Sequence, residues 1–135
     1  MAICFSRPGR PVPWQRARTN NGQYFTAPLA RAAMKELAWA ARCAMKGAPL
    51  MTGPLKITVG FMYEIPKSWD RPKRNKALAG QIKPTGRPDI DNLGKLVLDA
   101  IKGVVFEDDA QLVTLAAGKH YGPSSITVVE IETAS

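Results

Sequence analysis

Histidine is nearly missing from this chain: His120 is the only one in 135 residues, and cysteine occurs only at Cys4 and Cys43. Imidazole or thiolate metal centres need several such ligands at short spacing, and a disulfide scaffold needs a denser cysteine framework, so neither is expected. The two thiols read as reduced cysteines of a cytoplasmic protein. No apolar run reaches the roughly 18 residues of a membrane span, and the N-terminus has no signal-peptide pattern. There is no internal repeat and no low-complexity tract. Acid is also scarce through most of the sequence. Residues 1–87 hold 16 Lys/Arg against 3 Asp/Glu, whereas residues 88–135 hold 3 against 8.

With 45% hydrophobic residues, the 135-residue chain suits a single domain, 1–135, with a real core. Its net charge of +8 makes nucleic acid the leading partner. A membrane surface fits less well, because the cations do not gather on one strongly amphipathic segment. The late acids fall into two short clusters, Asp89 with Asp91 and Glu107-Asp108-Asp109. That polarity suits a nuclease: cations hold phosphates, and carboxylates hold a hard divalent ion at the phosphate to be cut.

The pattern predicts an opening strand at 2–5, then an extended segment broken by Pro8, Pro11 and Pro13. Asn21-Gly22 predicts a turn between short strands at 16–18 and 23–25. A first helix is expected from a Thr26 cap to about Lys46, with Leu29, Ala33, Leu37, Ala40 and Ala44 inward, and Gly47 stopping it. Arg31, Lys35, Arg42 and Lys46 fall on another face with Trp39, either as a solvated surface or as a rail for phosphates. Strict alternation over 55–63 predicts a half-buried strand. Residues 64–88 carry seven Lys/Arg among prolines and read as a basic flexible arm that orders on DNA, with Ser68 capping one short helix. A second helix runs from Asp89 to Lys102, and two strands at 111–117 and 125–131 form a hairpin across Gly122-Pro123. The sum is an α/β (α+β) domain: one mixed β-sheet packed by two main helices.

Asp89 and Asp91, two apart at a helix start, could both reach one cation. The plainer reading has Asp89 capping the helix and Asp91 complementing its positive end. Lys95, four residues on, either pairs with Asp91 or stands beside a metal to meet charge on a phosphate. Asp99 continues the row as a pairing partner for Lys95 or Lys102. In the second cluster, strand alternation lets only one of Asp108 and Asp109 face the site. Arg16 and Arg18 are candidate phosphate clamps, joined by Lys67, Lys73, Arg74 and Lys76 of the arm. Trp14, Tyr24, Phe25 and Trp69 could stack on unpaired bases, and His120 could act as a general base, though packing or a plain surface position is the commoner role for each such residue.

Arg87-Pro-Asp-Ile-Asp-Asn-Leu-Gly-Lys95, Leu98-Asp-Ala-Ile-Lys-Gly103 and Phe106-Glu-Asp-Asp-Ala-Gln111 together resemble the signature of RusA-type Holliday-junction resolvases. Pro13-Trp-Gln-Arg-Ala-Arg18, Gly22-Gln-Tyr-Phe25 and Ile65-Pro-Lys-Ser-Trp69 are weaker echoes. The resemblance implies a homodimeric, Mg²⁺-dependent endonuclease, with Mn²⁺ as substitute, that nicks four-way DNA junctions symmetrically in recombination and repair. It places Asp89, Asp91 and Asp109 as metal-binding carboxylates and Lys95 as the catalytic lysine. Asp108 matches the first acid of the pair, and Trp14 is nearest to the family's N-terminal aromatic contact. A cytoplasmic, nucleoid-associated setting in a bacterial or phage-infected cell goes with it. The alternatives are a non-catalytic junction-binding protein, or a nuclease of broader branched-substrate preference.

Overall fold

The computed structural model describes residues 1–15, 18–20, 23–25 and 27–134. Its main sheet has four strands: β1 (Ala2–Pro8), β4 (Leu55–Glu64), β5 (Leu112–Gly122) and β6 (Ile126–Thr133). Their order is β1-β6-β4-β5, with β6 antiparallel to both β1 and β4, and β5 parallel to β4. The expected hairpin between the last two strands does not form, because β4 lies between them. β4 earns that central place by its inward row: Leu55, Ile57, Val59, Phe61 and Tyr63 are all buried. Such a row buries most when paired on both edges. A short ladder, β2 (Arg18–Asn20) with β3 (Gln23–Phe25), stands apart from the main sheet. The Asn21-Gly22 turn, Thr26 and Arg16 lie outside the described residues.

Helices cover one face of the sheet. α1 (Pro28–Met45) buries Ala30, Ala33, Leu37, Ala41 and Met45, so its inward stripe is rotated from the expected one, and Leu29 is 65% exposed. Pro28 opens the helix and Lys46, in the left-handed region at φ 52°, closes it just before Gly47. α3 (Ile90–Ile101) turns Leu93, Leu96, Val97, Ala100 and Ile101 into the core, as its periodicity predicts. The basic connection contains a third helix, α2 (Arg71–Leu78), capped by Asp70 rather than Ser68: Lys73 N–H donates to Asp70 Oδ1 at 3.0 Å. Arg7, on the inward row of β1, is buried. It donates to Arg10 O at 3.0 Å and faces Glu36 of α1 at 3.5 Å, joining the N-terminal segment to the helix layer.

Leu93→Ala should destabilise the fold by about 2–5 kcal/mol, since its fully buried side chain joins α3 to the sheet. Leu29→Ala on the exposed face of α1 should stay within about 0.5 kcal/mol of wild type in the same denaturant titration.

Candidate nuclease site

α3 presents its second face to a cleft of about 400 Å³ lined by Ile90, Asp91, Gly94, Lys95, Leu98 and Asp99. The opposite wall comes from Leu115 and Ala117 of β5, and Asp109 lines the cleft from the turn before that strand. The chain's two acid clusters therefore do meet, at Asp91 and Asp109. Asp89 is exposed at the N-cap position of α3 and is not part of the lining. The difference has a backbone cause: helix begins at Ile90, so Asp89 and Asp91 do not share the extended geometry that would point both to one side. The plain reading of Asp89 also fails, for its carboxylate makes no capping hydrogen bond.

The second cluster divides its work. Asp108 Oδ1 accepts from Ala110 N–H at 2.9 Å, capping a short 3-10 turn, Asp109–Gln111. Gln111 Oε1 accepts in return from Asp108 N–H and Glu107 N–H, both at 3.1 Å. Gln111 Nε2 donates to Met51 O at 3.0 Å and Gly53 O at 3.1 Å, fixing the turn to the segment before β4. Asp108 is thus spent on structure and lines a different hollow, while Asp109 is left for the cleft. A single weak ion pair, Lys102 Nζ to Asp109 Oδ2 at 4.0 Å, approaches it.

Lys95 does not pair with Asp91 among the described residues. Its ammonium sits 4.7 Å from the centre of the Trp14 ring, and Trp14 N–H donates to Asn92 O at 2.8 Å. Trp14 therefore docks on the first turn of α3 and holds the lysine by a cation–π contact. Asp99 pairs with neither Lys95 nor Lys102 among the described residues. It is half-buried and lines the cleft, a role that sequence reasoning left out although its i, i+4, i+8 spacing with Asp91 and Lys95 puts all three on one helical face. Gln111 is the other missed residue; a glutamine three positions after a capping aspartate is the sequence signal of a capping box.

The remaining candidates scatter. Lys67 and Lys76 are exposed. Lys73 Nζ lies 4.0 Å over the Trp69 ring, which in turn meets Tyr121 edge-on at 5.1 Å. Arg74 folds back on Trp69 O and Pro66 O, both at 3.3 Å. The side chains of Arg18, Tyr24 and Phe25 lie outside the described residues, as does Arg16. His120 alternates to the face of β5 opposite Lys119 and lines no cleft with the acids. Behind the cleft, a second hollow of about 210 Å³ is walled by Tyr63 and Tyr121, with Arg10, Arg87 and Lys119 around it. Burial pushes the Tyr63 phenol up, against the opposing pull of the Arg10 guanidinium, and the Glu64 carboxylate also lines the hollow.

The donor chemistry of the cleft fits a hard divalent ion: Asp91, Asp99 and Asp109 offer only carboxylate oxygens. Among the described residues, no three His, Cys, Asp or Glu side chains stand close enough together to hold a metal ion by themselves.

Carboxylates and a lysine sharing one cleft, on a strongly basic chain, define a site of nuclease type. Residues 8–132 match the family described as Endodeoxyribonuclease RusA, and the chain belongs to that family. The chain is also 35% identical over 88 residues to "Uncharacterized protein YqaN" of Bacillus subtilis (strain 168), a match covering 64% of this chain and 62% of that protein.

Gln111→Ala removes the four side-chain bonds by which Gln111 ties the acidic turn together and to the segment before β4. It should lower stability by about 1–3 kcal/mol in chemical denaturation, with the loss centred on the 107–111 turn and the segment around Met51 in amide exchange.

Proposed function

We propose that this chain is a Mg²⁺-dependent endonuclease that resolves Holliday junctions by paired symmetrical nicks, as a homodimer, in recombination and repair. The observation that carries the reading is the convergence of Asp91, Lys95 and Asp109 on one cleft in a chain of the RusA family. Asp91 and Asp109 would hold the ion, with Asp89 joining from the helix start; Mn²⁺ would serve in its place. A bound divalent ion there would supply Lewis-acid charge and a more acidic water.

The chain's own residues do the rest. Lys95, steered by Trp14, meets the negative charge that grows on the non-bridging phosphate oxygens as water adds in line with the leaving 3′ oxygen. The products are 5′-phosphate and 3′-hydroxyl ends. The cations Arg16, Arg18, Lys67, Lys73, Arg74 and Lys76 draw in the backbone. Arg74 and Lys73 do so with part of their capacity already engaged, so Lys67 and Lys76 are the freer phosphate contacts of the arm.

A four-way junction has approximate two-fold symmetry, and an isologous dimer offers two equivalent sites to opposite strands. The β5 edge supports that reading. Among the described residues no strand pairs with its outer edge, no charged residue interrupts it from Leu112 to Gly118, and Val113 is 61% exposed. Natural proteins rarely leave such an edge bare without a charge, a proline or a partner.

In Mg²⁺, the protein should nick a mobile four-way junction symmetrically and leave matched linear duplex intact, with Asp91→Asn reducing cleavage by about 10³-fold or more. Junction binding without product in either Mg²⁺ or Mn²⁺ would replace this reading with that of a non-catalytic junction binder; cleavage of flaps and forks at equal rates would replace it with a broader nuclease. Sedimentation should give a dimer for wild type and a monomer for Val113→Lys, whose circular dichroism stays native and whose paired nicks become uncoupled single nicks.

A further inference from the structure

Lys119 lies near the far end of β5, on the helix-covered face, in parallel register with Phe61. Its ammonium donates to Gly86 O at 2.6 Å and to Pro88 O at 2.8 Å. These two carbonyls flank Arg87, and the second belongs to the residue immediately before Asp89. Among the described residues no carboxylate lies within ion-pair distance of Lys119, and no other hydrogen bond from elsewhere in the chain reaches the backbone of residues 82–88.

Drawing an ammonium half out of water costs free energy, which short charge-assisted bonds to carbonyls offset. A surface lysine free to turn outward would not adopt this arrangement unless the turn and the strand were built around each other. The same strand follows directly from the 3-10 turn that carries Asp109. β5 is therefore a ruler with Asp109 before one end and, toward the other, a two-pronged hold on the turn that leads into Asp89 and Asp91.

We propose that Lys119 is a positioning residue that fixes the 86–91 segment relative to Asp109, and so sets the spacing of the carboxylates across the cleft. The proposal rests on the reading of Asp89, Asp91 and Asp109 as the ion-holding set. Lys119 touches neither substrate nor ion in this role; it acts through the two carbonyls.

The test compares the full-length wild type with Lys119→Met, which keeps the stem and loses the donors, and Lys119→Arg, which restores donors. Three quantities are read: amide exchange in metal-free protein, Mn²⁺ affinity by calorimetry, and kcat and KM on a four-way junction. In Lys119→Met, exchange of residues 86–93 should accelerate while α1 and β4 keep their protection. Its Mn²⁺ Kd should rise about 10–100-fold, the range for loss of a residue that orients a metal ligand. Its kcat should fall with KM for junction unchanged, and Lys119→Arg should recover part of each loss.

Wild-type exchange at 86–93 together with wild-type Mn²⁺ affinity in Lys119→Met would overturn the proposal. So would losses spread evenly over the chain with no recovery in Lys119→Arg, the mark of a merely structural lysine. A wild-type protein that binds no Mn²⁺ and cuts no junction would sink the proposed chemistry instead, while the exchange measurement alone would still decide whether Lys119 holds the turn.

Discussion

The parallel pairing of β4 with β5 is the constraint from which the rest of the molecule follows. Parallel neighbours cannot be joined by a tight turn, so the chain between Glu64 and Leu112 has to leave the sheet, cross one face and return. α3 is the part of that crossover that packs on the sheet, and its buried stripe from Leu93 to Ile101 fixes its rotation. With one face committed to the core, Asp91, Lys95 and Asp99 have to face away from it, into the cleft beside β5. The return to β5 then delivers Asp109 to the opposite wall. The cleft is thus a product of topology, and its acids are placed by the packing of apolar residues that never touch it.

The elements with strong periodicity were the legible ones. β4 announces itself by alternation from Leu55 to Tyr63, and α3 by its apolar stripe, because both patterns record burial on one side. Strand order was not legible: two strands separated by Gly122-Pro123 look like a hairpin, and only the demand of β4 for two partners separates them. Rotation of α1 was misread because alanines on several faces give a weak pattern, leaving Met45 and Ala41 to decide which side is buried. In the site, motif spacing brought Asp91, Lys95 and Asp109 forward. The sequence could not assign Asp108 to capping without the partner bonds of Gln111, nor show that Lys95 meets Trp14 from 81 positions earlier instead of Asp91 on its own helix.

Electrostatic economy runs through these details. Each acidic cluster sends a single residue to the cleft, Asp91 from the first and Asp109 from the second, and in the second cluster the separation of Asp108 from Asp109 is achieved by hydrogen bonding. Asp108 gives its charge to a turn, where the exposed N–H groups complement it. Asp109 beside it keeps an uncommitted oxygen pair, tempered only by a lysine at the edge of ion-pair distance. On the cationic side, Lys73, Arg74, Lys95 and Lys119 each have an aromatic face or a carbonyl to lie against. These positive charges are consequently oriented by the fold as well as abundant in it.

Away from DNA, the bare edge of β5 ties the chain's solubility to its charge. An uncovered strand invites pairing with any other strand, and a net charge of +8 opposes unspecific association of copies. The basic character of the chain is thereby also a guard against indiscriminate strand pairing in free solution.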